Sequence, residues 1–354
     1  MMNRTAPLPI FVLICTSLVF VSCWKQQSHE SQGPELPNYK VSGHVFHSVT
    51  NEPLPEATVT IDDQESLTDS SGFYSISDVL GGNDYIIIVA KDNFETYANP
   101  FQLGYSDLDF FDIALGKILY FTDRTRAPSY EPNSLVWAGN TPWSCDGLRK
   151  RIYALDETNG LSWIKYFDSP GSFPDKGHYT TPCGLTATQE NGTDYLWISV
   201  EYEESPPRIY KMAVRNDTTL STEGWYDTPE SALFPGEKVL LDDLTYDGNS
   251  IWSCSSSEGK IYKHGPDMSV VGQFDSPEGA PSGITWDGQQ LWLCEKGSNR
   301  LSMLNVETLE LQGFYVIQET PVMGVCYRKG YIWVCKHGTE IDGLPSWFYK
   351  YRVK

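Results

Sequence analysis

Leu291-Trp292-Leu293-Cys294 decides the fold, because the same short pattern occurs four more times in the carboxy-terminal two thirds of the chain. In every copy a tryptophan stands two residues before a cysteine or a serine. The other copies are Pro142-Trp143-Ser144-Cys145, Leu196-Trp197-Ile198-Ser199, Ile251-Trp252-Ser253-Cys254 and Ile332-Trp333-Val334-Cys335. Residues i and i+2 of a β-strand share a face, so the large ring and the small side chain point the same way in each copy.

The spacing of these copies predicts a β-propeller. Successive tryptophans are 54, 55, 40 and 41 residues apart, and strand patterns precede and follow each one. Two copies follow an Asp-Gly pair, at Asp247-Gly248 and Asp287-Gly288, which is a strong β-hairpin signal. A repeat of this length with several strands and no helical periodicity is typical of a propeller blade. We therefore predict five blades over residues 117–354.

The fifth copy ends before its fourth strand. Residues 117–121, Lys-Ile-Leu-Tyr-Phe, precede the first copy and have no other predicted partner. We predict that they supply the missing outer strand, so that pairing between the two ends of the domain closes the ring and removes exposed sheet edges.

Blade packing also accounts for most of the cysteines. A buried tryptophan needs a small neighbour, and four cysteines lie at equivalent positions of different blades, so we expect buried thiols rather than disulfides. Cys326 and Cys335, on adjacent predicted strands, are the one local pair suited to a disulfide. The six cysteines of the predicted propeller are Cys145, Cys183, Cys254, Cys294, Cys326 and Cys335.

Residues 39–116 show several short alternating strands separated by turns rich in Gly, Asn, Asp and Pro, which predicts a small β-sandwich. This segment resembles the carboxypeptidase regulatory-like domain. The resemblance rests on Val41-Ser42-Gly43-His44-Val45, residues 53–59, residues 68–76 and Asp84-Tyr85. It implies a prealbumin-like sandwich that serves as a spacer or docking module, with glycan binding implied by fold grouping alone.

The amino terminus predicts export. Arg4 is followed by an apolar run over residues 10–21, which is too short to span a bilayer and typical of a secretory signal. Residues 19–23, Val-Phe-Val-Ser-Cys, resemble a bacterial lipobox, which implies lipidation of Cys23 and anchoring at a membrane surface. We predict a signal peptide over 1–22, a lipidated tether over 23–38, and a location in the bacterial cell envelope.

Composition excludes some partners. The 354 residues contain 46 Asp and Glu against 26 Lys and Arg, a formal net charge of −20, so nucleic acid is not expected as a partner. The sequence carries no GxSxG, HExxH, Walker A, GxGxxG or EF-hand motif, and no Cys or His spacing suited to zinc. Any functional site must therefore be assembled in space.

Loops of all five blades should converge at one end of the central channel. The repeat predicts a ligand site on this channel rim, formed by Asp146, Glu201, Asp242, Asp243, Glu295, Lys336 and His337. Several carboxylates around one opening can bind a hard cation such as Ca²⁺, hold a cationic ligand or work as an acid–base pair. They can equally be an acidic surface of an acidic protein.

Five blades and an acidic channel resemble the plant-type glutaminyl cyclases, in which a channel glutamate is catalytic. Of that family's Phe-Thr-Gln-Gly-Leu segment, Gly184 and Leu185 carry over here, and Ile198 stands where its glutamate would follow Leu-Trp. The resemblance therefore implies that Glu201 or Glu295 would take the role. Lactonase-like hydrolysis with channel-bound calcium is a further alternative.

The sequence favours a lipid-anchored binding or scaffolding protein for a glycan, peptide or protein ligand, with an enzyme as the alternative.

Overall fold

The computed structural model describes residues 37–353 except 174, 176, 217, 218, 319, 320 and 340–342. The predicted signal peptide and Cys23 lie outside the described residues. The described chain is all-β, apart from isolated 3-10 turns such as Glu157–Asn159. Within this part of the chain, no helix has the length and apolar character needed to cross a membrane.

The first seven strands form the predicted small sandwich. They are β1 (Asn38–His47), β2 (Thr58–Ile61), β3 (Gln64–Leu67), β4 (Phe73–Leu80), β5 (Asn83–Ala90), β6 (Tyr97–Leu103) and β7 (Ile113–Leu115). One sheet has the order β4-β1-β7, and the other has the order β3-β2-β5-β6. In β5, Tyr85, Ile87 and Val89 are buried while Ile86 and Ile88 are exposed, because alternate side chains face the core.

Two linking strands follow, β8 (Lys117–Ile118) and β9 (Tyr120–Arg126). Each of the first four blades then comes from one continuous stretch of chain. Blade one contains β10 (Pro132–Ala138), β11 (Thr141–Asp146), β12 (Arg151–Asp156) and β13 (Ser162–Asp168); blade two contains β14 (Thr181–Glu190), β15 (Thr193–Glu201), β16 (Arg208–Arg215) and β17 (Thr219–Asp227).

Blade three contains β18 (Asp243–Tyr246), β19 (Ile251–Ser255), β20 (Lys260–His264) and β21 (Val270–Asp275); blade four contains β22 (Pro281–Trp286), β23 (Gln290–Glu295), β24 (Arg300–Asn305) and β25 (Leu311–Val316). Blade five contains β26 (Gly324–Arg328), β27 (Tyr331–Lys336) and β28 (Trp347–Arg352). The innermost strands β10, β14, β18, β22 and β26 contact one another in a complete ring. The five-bladed propeller is therefore confirmed.

The ring closes as predicted, with a shift in the residues that close it. The outer strand of blade five is β9, antiparallel to β28, with Tyr120 opposite Arg352 and Arg126 opposite Trp347. Lys117 and Ile118 instead pair in parallel with β25 of blade four. The predicted closing segment 117–121 is thus divided between two blades, because the chain leaves the sandwich beside blade four before it crosses to blade five.

The repeated tryptophans pack between blades. Trp143, Trp252 and Trp292 are at most 1% exposed. The indole N–H groups of Trp252 and Trp292 each donate to an aspartate of the preceding Asp-Gly turn, at 2.7 Å from Asp247 Oδ2 and Asp287 Oδ2. The turn residue thus satisfies the polar atom of a buried ring, which explains why this hairpin and this tryptophan occur together.

The propeller cysteines are buried and free, and Cys326 and Cys335 form no disulfide. The thiols of the repeat fill space beside the tryptophans, as expected for small apolar side chains. Burial raises the pKa of the Cys145 thiol and the Cys254 thiol well above the ordinary value, so these groups stay protonated.

The sandwich packs directly on blade four. Arg300 of β24 donates from Nη2 to both carboxylate oxygens of Glu95, at 3.1 Å each, and the Glu95 side chain is 12% exposed. Ser48 Oγ donates to Phe314 O at 2.7 Å. A partly buried bidentate pair is stronger and more directional than a surface ion pair, so these contacts hold the sandwich in one orientation on the propeller.

Candidate functional site

The propeller axis is closed by a ring of residues that we call the floor. Each floor residue lies opposite the repeated cysteine or serine, and the five are Ser134, Gly184, Asp243, Gly283 and Gly324. A Cβ atom on Gly324 would lie 2.1 Å from Asn133 O, and one on Gly184 would lie 2.3 Å from Asp243 Cα. At Gly184 and Gly324 the innermost strands therefore approach too closely to leave room for a side chain.

Asp243 fills the middle of the floor. It is 1% exposed, and its carboxyl oxygens accept the N–H of Leu185 at 3.3 Å and the N–H of Ile284 at 3.2 Å. Burial raises the pKa of Asp243 well above its ordinary value, against the lowering effect of these hydrogen bonds. Asp243 thus joins three blades, and its carboxyl group is not on an open rim.

Two further predicted rim residues are also buried. Asp146 accepts the N–H of Glu131 at 2.9 Å and of Arg149 at 2.7 Å. Glu295 accepts the N–H of Glu278 at 3.1 Å and of Ala280 at 2.7 Å, together with the hydroxyl of Ser276. Both carboxylates are at most 1% exposed, so they fix the loops that lead into the innermost strands.

Other polar residues do meet at the open end of the axis. We call this group the mouth; it consists of Glu201, Asp242, Ser256, Lys296 and His337. Lys296 Nζ lies 2.9 Å from Asp242 Oδ1 and 2.7 Å from Ser256 Oγ, which links blade four to blade three. The Lys296 side chain is 42% exposed and is open to a ligand, whereas that of Asp242 is 14% exposed and both of its oxygens also accept hydrogen bonds from Ser256.

His337 comes from blade five and contacts blade one, with Nε2 3.0 Å from Asn133 Oδ1. Asn133 Nδ2 in turn donates to Pro182 O of blade two at 3.1 Å. Burial lowers the pKa of His337 to about 4, and the charge of Lys296 contributes in the same direction. His337 is therefore a neutral hydrogen-bonding group at neutral pH.

Blade two contributes Glu201 and Cys183. Glu201 is exposed, and Cys183 is 9% exposed. The pKa of the Cys183 thiol is raised by burial and by the charges of Glu201 and Asp242, which excludes a ready thiolate nucleophile.

Lys336 Nζ lies 5.7 Å from the Tyr349 ring centre, on the blade itself. Among the described residues, no three His, Cys, Asp or Glu side chains are grouped to hold a metal ion such as Ca²⁺.

The sequence prediction missed Ser256 and Lys296, although the repeat contains a signal for both. Glu201, Ser256, Lys296 and His337 all stand four residues after a repeated tryptophan. Asp146 and Glu295 stand three residues after it, at the buried end of the strand. The structure therefore brings Glu201, Asp242 and His337 together, adds Lys296 and Ser256, and places Asp146, Asp243 and Glu295 in the framework beneath.

No family model matches the chain. A stretch of 76 residues is 39% identical to pyrolysin from Pyrococcus furiosus and represents 21% of this chain and 5% of pyrolysin, so the chain spans a small part of that protein's length. Among solved structures, the glutaminyl cyclase of Myxococcus xanthus is similar, with a TM-score of 0.46 and 12% identity over 67% of this chain and 96% of the cyclase.

A PQQ-bound aldose sugar dehydrogenase from Streptomyces coelicolor is similar as well, with a TM-score of 0.44 and 12% identity over 66% of this chain and 97% of the dehydrogenase. At these identities a structural likeness does not transfer an activity. The strand order and the ring closure by themselves establish the propeller fold.

Proposed function

We propose that the protein is an exported binding protein of the bacterial cell envelope, anchored by a lipid on Cys23, whose mouth binds a small ligand bearing an ammonium group. The single observation that carries the proposal is the mouth itself, because polar groups from four blades converge over a floor closed by Asp243. Because the floor is closed, a ligand can bind at the mouth but cannot pass through the centre of the ring. The sandwich, resembling a carboxypeptidase regulatory-like domain, would separate the propeller from the membrane.

The ligand class follows from charge. Glu201 and Asp242 outnumber Lys296 at the mouth, and the formal net charge of −20 attracts cations toward it. The neutral imidazole of His337 and the hydroxyl of Ser256 add hydrogen-bonding capacity without adding positive charge. An amino-terminal peptide segment, with one ammonium group beside backbone carbonyls and N–H groups, suits this set of side chains.

The test is a thermal-shift and calorimetric screen of the purified protein with short peptides, oligosaccharides and Ca²⁺. We expect a free-amine peptide to raise Tm, and we expect Glu201→Gln and Asp242→Asn to weaken its binding about tenfold each, as for loss of a charge-assisted hydrogen bond. Glu307→Gln, an exposed carboxylate away from the mouth, is the control and should bind normally. An amino-acetylated peptide that binds equally well would overturn the proposal.

An enzyme is the second candidate, and one observation favours it: Glu201 is an exposed carboxylate at the mouth. Glu295 is not available for this role, since both of its oxygens accept hydrogen bonds within a buried loop. The test is to incubate a peptide with amino-terminal glutamine and follow the loss of ammonia by mass spectrometry. Turnover that is abolished by Glu201→Gln would establish the enzyme; binding without turnover would support the binding protein.

A further inference from the structure

A concave site lies at the seam between blades five and one, with none of its lining residues in the mouth. Its volume is about 340 Å³, within the range of about 300–1,000 Å³ that is usual for ligand pockets. One wall is the start of β13, with Ser162 and Trp163, and the other is the segment from Arg126 to Tyr130 together with Ser346. We call this site the seam cleft.

Aromatic surface dominates one wall of the seam cleft. Trp163 is 54% exposed although most repeated tryptophans of the propeller are buried. Its ring centre lies 6.1 Å from that of Tyr166, which is 42% exposed and extends the aromatic surface along the same strand. An exposed indole face carries negative charge density and favours contact with the weakly positive C–H groups of a flat ligand. This ring is not needed for blade packing, so a ligand can use it.

Polar groups and one charge line the rest of the seam cleft. Of the serines that line the cleft, Ser162 is exposed, and a purely apolar ligand would leave its hydroxyl without a hydrogen bond. Ser346 Oγ already donates to Ser129 O. Of the ten described residues that line the cleft, Arg126 alone is charged. This is notable because acidic residues outnumber basic ones by 20 in the whole chain. The cleft is thus suited to an anion, unlike the mouth.

We propose that the seam cleft binds a carboxylate-bearing sugar of the hexuronate type, with a pyranose face stacked on Trp163 and the carboxylate held by Arg126. A guanidinium group pairs with a carboxylate through two parallel hydrogen bonds, which gives affinity and direction together. The exposed hydroxyl of Ser162, next to Trp163, supplies a hydrogen-bond partner for a sugar hydroxyl. This site is separate from the mouth and does not depend on the function proposed for it.

The test is isothermal titration of the whole protein with trigalacturonate and with its neutral counterpart, galactotriose. We expect trigalacturonate to bind the wild type, Trp163→Ala to weaken binding at least tenfold, and Arg126→Gln to reduce it to the level of galactotriose. Trp225→Ala is the matched control, because Trp225 is 49% exposed on the outer strand of blade two and lies outside the cleft. Thermal melts check that each variant is folded.

Several outcomes would overturn the proposal. Trigalacturonate could fail to bind the wild type, galactotriose could bind as tightly as trigalacturonate, or Trp225→Ala could lose as much affinity as Trp163→Ala. Glu201→Gln separates this site from the mouth: it should leave trigalacturonate binding unchanged, and a loss there would place the sugar at the mouth and refute the seam cleft.

Discussion

Replacing Gly324 by alanine tests the closed floor of the propeller. The added Cβ would lie 2.1 Å from Asn133 O and 3.3 Å from Ser134 Cα, both backbone atoms of the innermost strand of blade one. Because both are backbone atoms, rotating a side chain cannot relieve this clash. Two packed strands of a closed ring would have to move apart. Overpacking of a core costs about 1–3 kcal/mol, and more where backbone must move, so we expect a loss of at least about 3 kcal/mol.

For a domain of about 150–250 residues, each kcal/mol shifts Tm by roughly 2–4 °C, so Gly324→Ala should lower Tm by about 6–12 °C. The assay is differential scanning calorimetry beside Gly224→Ala, whose Cβ would meet nothing within 4 Å. That control should match the wild type or gain up to about 1 kcal/mol, since alanine restricts the unfolded chain. If the two variants melt within about 1 °C of each other, the innermost strands are not in close contact at Gly324.

Two further predictions concern buried polar groups in blade three. Burial lowers the pKa of His264 to about 4 in the folded protein against 6.5 as its ordinary value. Between these two pH values the unfolded state binds a proton that the folded state does not. The free energy of unfolding is therefore highest above about pH 6.5 and falls by up to about 3 kcal/mol as the pH falls toward 4. Urea unfolding between pH 4 and 7 should therefore show a shallower pH dependence for His264→Asn, and parallel curves would contradict this assignment. Asp247→Ala should cost about 1–3 kcal/mol, since it leaves the buried indole N–H of Trp252 without its acceptor. Asp267→Ala, at an exposed turn, is the control for urea unfolding, and equal losses for the two variants would refute the role given to Asp247.

Much of the fold was predictable because its determinants are local. The alternation along a strand places Trp292 and Cys294 on one face, and the Asp287-Gly288 pair sets the hairpin before them. These relations span a few residues and repeat, so the blade number and the strand order follow from the spacing alone. The closure between the ends of the domain also follows, since an incomplete last blade requires an outer strand from elsewhere.

The partners of the closing strand were not predictable from the sequence. Tyr120 completes blade five while Lys117 pairs with blade four, and no pattern in residues 117–121 distinguishes these partners. The division depends on where the sandwich packs, and that is set by contacts such as Glu95 with Arg300, which are far apart in the chain.

The candidate site, like the fold, was predictable from the sequence only in part. The sequence placed carboxylates near one end of the axis, but only the tertiary structure decided that Asp243 and Glu295 are buried in the framework while Lys296 and His337 line the mouth. The physical reason is that a carboxylate can be held in place by backbone N–H groups from distant segments. Whether a loop or a neighbouring blade brings those groups within 3 Å or so depends on how the whole ring packs.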